Sequence, residues 1–280
     1  MNQLTGHRPR ALAFAYGLRW LLQSVSLVRR QPGRMLLIAI FMQLILGLTR
    51  LPLVGFLVIL SVPGLTAGIL EAFHVTAAGG RPDLKLLFRP LLSRDHAGGL
   101  LAMGALIFVV GVLSISVMLS GSPEMLDPDV IAQIEQGDVN AIAMLDQEAL
   151  GRILLAFLVG ISVTGTLSYF TIPLMWFGRR KLLHSLKAGL RALIVKWRPF
   201  LALALGLVAI LVPLGVVTGI LLGLAVSGGL ISVFMTGLLL ILLLAFQMIL
   251  FGTQYCAYRD VFGLPDEASP PVDPEGQLLA

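Results

Sequence analysis

Charge is the scarcest commodity in this sequence. Of 280 residues only 12% are Asp, Glu, Lys or Arg, where a soluble domain carries about a quarter. A further 57% are hydrophobic, and the mean hydropathy is +0.93. A soluble globular domain is thereby excluded. The long unbroken apolar runs also exclude a β-barrel, whose strands alternate over segments of about 10 residues. Cysteine is limited to Cys256, which rules out an internal disulfide and a cysteine-based zinc cluster and leaves the redox compartment undetermined. The N-terminus is polar and basic (His7, Arg8, Arg10) and no small-residue cleavage pattern follows it, so removal of a signal peptide is not expected. His-Glu-x-x-His, Gly-x-Ser-x-Gly and phosphate-loop patterns are all missing. No catalytic residue, cofactor or metal is expected.

What is present is apolar sequence in six runs: 35–48, 53–78, 98–120, 153–177, 199–226 and 230–257. They predict an all-α integral membrane protein with six transmembrane helices. The first run is short, since 14 residues rise about 21 Å against a hydrocarbon core of about 30 Å, and an extra turn at each end is expected. Arg50-Leu51-Pro52 marks a tight hairpin into the second span, because proline cannot donate a helix hydrogen bond and disfavours helix at the residue before it. A re-entrant loop over 35–62 is the alternative.

Orientation follows from the basic residues, which cytoplasmic loops retain. Eighteen of the 20 Lys and Arg fall on one side: in 1–34, in the loops 79–97 and 178–198, and at Arg259. Only Arg50 and Arg152 fall on the other. The loop 121–151 has no Lys or Arg and seven acids. Both termini are therefore expected in the cytoplasm, and the acidic loop outside. The net charge of +5 and pI near 9.8 would suggest nucleic acid in a soluble protein; here sidedness accounts for them, and no nucleic-acid partner is expected.

Two segments carry helical apolar stripes with basic residues opposite: Phe14, Leu18, Leu21, Val25 and Val28, then Leu183, Leu186, Leu190, Leu193 and Trp197. A shorter one covers 83–92. They predict cytoplasmic interfacial amphipathic helices against the bilayer and its anionic headgroups, with docking of a soluble partner as the alternative. Both long stripes end at a proline opening a span, Arg30-Gln31-Pro32 and Trp197-Arg198-Pro199, where proline costs nothing. This suggests a parallel internal repeat with its axis along the membrane normal. The organisation read is thus 1–34 as an N-terminal cytoplasmic segment, 35–262 as the six-span domain, and 263–280 as an acidic, proline-rich tail expected to be disordered.

Basic amphipathic helix, proline-opened hairpin, a second such unit, and the ending Tyr255-Cys256-Ala257-Tyr258-Arg259-Asp260-Val261-Phe262 together resemble an uncharacterised family of proteobacterial six-span inner-membrane proteins. That family is distantly similar to the membrane region of some glycerophosphodiester phosphodiesterases. The resemblance covers about 17–262, most specifically the Tyr-Arg-Asp-Val-Phe ending and the stretch 196–200. It implies an inner-membrane address and no established activity, and the soluble phosphodiesterase domain is absent.

Glu71 and His74 lie three apart within the second span. An ionised group at the helix centre costs about 2.5 to 3.5 kcal/mol on insertion scales, so such a pair is a candidate polar site. Arg259 is the cation expected to pair with Glu71; a proton or ion relay and half of a di-metal site are the alternatives. Gly64 and Gly68, and the four-spaced Gly215, Gly219 and Gly223, predict close helix packing. With Pro63 and Pro213 they also allow the broken helices that line transporter sites. Hydroxyls along the fourth span either line a polar path or bond to their own helix. The function read from sequence is a non-enzymatic multi-pass inner-membrane protein, either transport-related or an envelope assembly or homeostasis component. A membrane-embedded lipid-processing enzyme is the alternative. A homo-oligomer or a membrane-protein partner is compatible with either.

Overall fold

The computed structural model describes residues 13–119, 147–226 and 229–264, and every regular element among them is helical. In chain order these are α1 (Tyr16–Arg30), α2 (Pro32–Gly47), a 3-10 turn (Leu48–Arg50), α3 (Pro52–Ala77), α4 (Lys85–Leu92), α5 (Ala97–Leu119), α6 (Gln147–Tyr169), α7 (Thr171–Trp176), α8 (Leu182–Val195), α9 (Trp197–Val226) and α10 (Gly229–Phe262). Six stretches are long and apolar enough to cross a membrane: Pro32–Arg50, Leu53–Ala77, Ala97–Ser114, Leu158–Trp176, Trp197–Leu224 and Ser232–Phe262. This is an all-α membrane fold. The expected disorder of the tail, and nearly all of the acidic loop, lie outside the described residues.

Local chemistry sets the boundaries. Pro32 opens α2 and Pro52 opens α3 at the first helical turn, where a missing N–H leaves nothing unsatisfied. Leu51 before Pro52 is extended, at φ −89° and ψ 120°, as its proline requires. The first span thus gains three residues before 35 and two after 48 and reaches 19 residues, about 28 Å, before the tight hairpin. The fourth span breaks at Phe170 between α6 and α7. Pro173 cannot donate to the carbonyl four residues earlier, and the Gln254 side-chain amide donates to that Tyr169 carbonyl instead, at 2.7 Å. The sixth span runs past 257 to Phe262, which brings Arg259 and Asp260 onto the helix.

The element order falls into three units. Each is a short basic helix followed by two spans: α1 with α2 and α3, α4 with α5 and α6–α7, α8 with α9 and α10. Each short helix packs chiefly on spans of the preceding unit. α4 lies on α3, α8 on α6 and α7, and α1 on α9 and α10, which closes the order. α4, expected as the shorter amphipathic piece over 83–92, has eight residues.

Small residues set these crossings. α1 buries Gly17, Trp20, Leu21, Ser24 and Leu27, a face rotated from the stripe beginning at Phe14 and Leu18, both of which are exposed. A Cβ on Gly17 would meet the Pro199 carbonyl oxygen and the Leu203 nitrogen, and the Ser24 hydroxyl donates to the Ile249 carbonyl at 2.6 Å. α8 buries Ser185 and Gly189. Gly68 performs the same role beneath α4, where an added Cβ would meet the backbone of Leu87. The buried core gathers at this basic end, around Trp20, Phe73, Phe170, Tyr255 and Tyr258. The middle of α9 by contrast exposes Leu205, Val208, Val212 and Val216, as lipid-facing residues do.

Candidate functional site

Glu71 stands on α3 about two turns before its end, within the buried part of the helix. The loop after α3 is short and α4 folds back over the last turns of α3, held close at Gly64 and Gly68. α4 carries Lys85 and Arg89, with Ser93 as its C-cap residue, spaced by four and therefore toward one face. That face meets Glu71. Arg89 Nη1 donates to Glu71 Oε1 at 2.9 Å, and Trp176 Nε1, from the end of α7, donates to Glu71 Oε2 at 2.8 Å. The carboxylate side chain is 11% exposed and the arginine 62%. Both oxygens of a buried charge are thus engaged, one by a cation with access to water, which is what makes its burial tolerable.

His74, one turn on, lies with Nδ1 3.3 Å from the Tyr255 hydroxyl and its ring edge-on to Phe177. On the far side of Trp176, His96 sets its ring edge-on to the indole at 5.3 Å and places Nδ1 3.0 Å from Ser93 Oγ. These groups surround a cavity of about 1030 Å³, to which Lys85, Asp95 and Arg179 also contribute. A second cavity of about 410 Å³ adjoins it across Asp95, His96 and Arg179, and reaches Arg180 and Lys181. Among the described residues no three His, Cys, Asp or Glu side chains gather to hold a metal ion.

Arg259 is not the partner of Glu71. Its Nη2 donates to Gln23 Oε1 at 3.3 Å and its Nε lies 3.6 Å from Asp260 Oδ1. Asp260 Oδ2 accepts from Trp20 Nε1 at 2.9 Å. The reason is which helix covers which: α1 lies on the end of α10, whereas α4 covers α3. Glu71 and His74 therefore line one cavity, and Arg259 belongs to a separate cluster. The glycines divide in the same way. Gly64 and Gly68 contact α4, but Gly215, Gly219 and Gly223 are exposed with nothing within 4 Å of an added Cβ, so the packing expected of them is absent from the described chain. Their face of α9 is turned outward because α9 takes its neighbours, α1 and α10, on other sides.

Among the described residues the hydroxyls of the fourth span do not line a polar path. Thr164, Thr166, Ser168 and Thr253 each donate to a carbonyl of their own helix three or four residues back, and Thr171 donates across the break to the Leu167 carbonyl. α3 and α9 run continuously through Pro63 and Pro213, so neither is a broken helix. The residues that sequence alone missed are Arg89, Trp176, Ser93, His96 and Arg179. The four-residue spacing of Lys85, Arg89 and Ser93 was the one available signal. Trp176 and Arg179 had none, because only the folded chain brings them to Glu71. Comparison with family models, with curated proteins and with solved structures gives no match for this chain.

Proposed function

We propose that this chain is a non-enzymatic multi-pass protein of the bacterial inner membrane that works at the cytoplasmic face as an envelope-homeostasis component, receiving a polar or lipid-borne group there rather than passing a solute across. The sidedness of its basic residues supports the orientation, and the resemblance of its ending supports the inner-membrane address. The observation that carries the functional reading is the distribution of polarity. Ionisable side chains converge on one cavity at the basic end, while the hydroxyls along the fourth span are satisfied within their own helices. A transporter needs a polar path through the middle of the bundle; an interfacial receptor needs only a basic mouth at headgroup depth.

A lipid-processing enzyme is the second reading, favoured by the Ser93 hydroxyl standing 3.0 Å from His96 Nδ1, within the range of a nucleophile and its base. Reconstitution in liposomes separates the readings. The interfacial reading expects no proton or ion flux and no phospholipid turnover. Flux abolished by Glu71→Gln in a folded protein would replace it with transport, and turnover abolished by Ser93→Ala would replace it with catalysis.

A further inference from the structure

The two adjoining cavities form one trough with an unbalanced charge. Arg89 and Trp176 already occupy both oxygens of Glu71, leaving Asp95, among the described residues, as the one other acid lining the cavities with Lys85, Arg179, Arg180 and Lys181. Among the described residues none of these four cations forms an ion pair. Arg89 itself uses one Nη1 hydrogen on Glu71, and a guanidinium has five. Such a surplus of about three positive charges is out of proportion to a singly charged diester. It matches a phosphate monoester, which carries about −1.5 to −2 and offers several strong acceptors.

Two independent features point the same way. Arg179 has φ +47° and is the one non-glycine residue of positive φ among the described residues. That conformation is strained for a side-chain-bearing residue, and glycine would hold it freely. An arginine is kept there nonetheless, at the lip shared by both cavities. Secondly, the larger cavity is lined by apolar side chains as well as by the cations: Leu86, Leu92, Phe177 and Leu264. A ligand that uses both kinds of lining has a charged head and a greasy continuation.

We infer that this trough binds the phosphate monoester head of an amphiphile, with Lys85, Arg179, Arg180 and Lys181 as its cationic contacts and the spare donors of Arg89 completing the set. The inference rests on the interfacial reading above and deepens it. The site is built at the ends of the second and fourth spans, the depth at which a headgroup lies.

Purified full-length protein in phosphatidylcholine nanodiscs, with and without phosphatidic acid, tests the assignment through ligand-induced thermal stabilisation. Phosphatidic acid should raise the unfolding temperature, and the affinity read from that shift should fall about tenfold in Lys85→Gln/Arg179→Asn, since two charge-assisted contacts are lost. Asparagine tolerates the left-handed backbone. Arg29→Gln/Arg30→Gln, which removes two exposed cations of α1 outside the trough, should change the affinity less than about twofold. Equal stabilisation of wild type and the trough variant, or an equal effect from phosphatidylglycerol at matched charge, overturns the site. If the double variant does not fold, Lys85→Gln alone, at an exposed position, gives the same decision: unchanged affinity overturns the proposal. Glycerol 3-phosphate added to plain phosphatidylcholine nanodiscs identifies the source. Stabilisation by it upholds the phosphate site with a soluble ester as ligand, and stabilisation by phosphatidic acid only upholds it with a lipid. Flux or turnover in liposomes would overturn the interfacial reading while leaving phosphate binding intact, so the two fail separately.

Discussion

A buried carboxylate must find its hydrogen-bond donors close at hand, and Glu71 finds them on two helices distant in sequence. The Arg89 and Trp176 bonds, at 2.9 and 2.8 Å, are both charge-assisted, a class worth about 1.5 to 3 kcal/mol each. Glu71→Gln presents an amide N–H₂ to one of two donors, and is expected to lower the unfolding temperature in detergent by the equivalent of about 1 to 3 kcal/mol. A double-mutant cycle assigns the partner: Glu71→Gln with Arg89→Gln should show coupling of about 0.5 kcal/mol or more, while the same change with Arg259→Gln should be additive. Additivity with Arg89, measured as thermal stability, would dissolve the pair. Glu71 and His74 were legible in the sequence because an ionisable group stands out against an apolar run. Their neighbours were not. Arg259 looked the natural partner because it ends a span on the same side, but the choice between Arg259 and Arg89 depends on which short helix covers which span, and no local pattern encodes that.

The same limit governs the helices. Span positions follow from apolar length and proline placement, so α2, α3, α5, α9 and α10 lie nearly where the hydropathy put them. The faces on which they pack do not follow, because in a bilayer burial against protein and exposure to lipid favour the same residues. The four-spaced glycines of α9 illustrate the failure, being open to the outside, whereas Gly17, Gly68 and Gly104 sit against backbone of another element. Gly68→Ala should therefore cost about 1 to 3 kcal/mol, because the obstacle at Leu87 is main chain and cannot rotate away. Gly219→Leu should stay within about 0.5 kcal/mol of wild type. Thermal unfolding of the two variants in one detergent decides between them, and a larger loss at 219 than at 68 would show that α9 meets a partner that the single chain lacks.

At the scale of the whole molecule the order closes on itself, since α1 lies against the last two spans and its Trp20 indole donates to Asp260, 240 residues away. The chain is tied end to end without a covalent link. Separately expressed pieces ending and beginning in the basic loop near 178 should consequently co-purify, because α1 of one half clasps α9 and α10 of the other. Trp20→Ala in the first piece should weaken that association markedly, by removing an indole that is fully buried along with its bond to Asp260. Recovery of the two halves as independent species would show the clasp to be energetically idle. Its geometry also bears on biosynthesis. α1 leaves the ribosome well before α9 and α10, so at about 5 to 20 residues per second the helix waits on the order of 10 to 50 s for the spans it will hold. During that interval the face of α1 that carries Trp20, Leu21 and Leu27 is without the spans it packs on, and the clasp closes only when α10 is inserted.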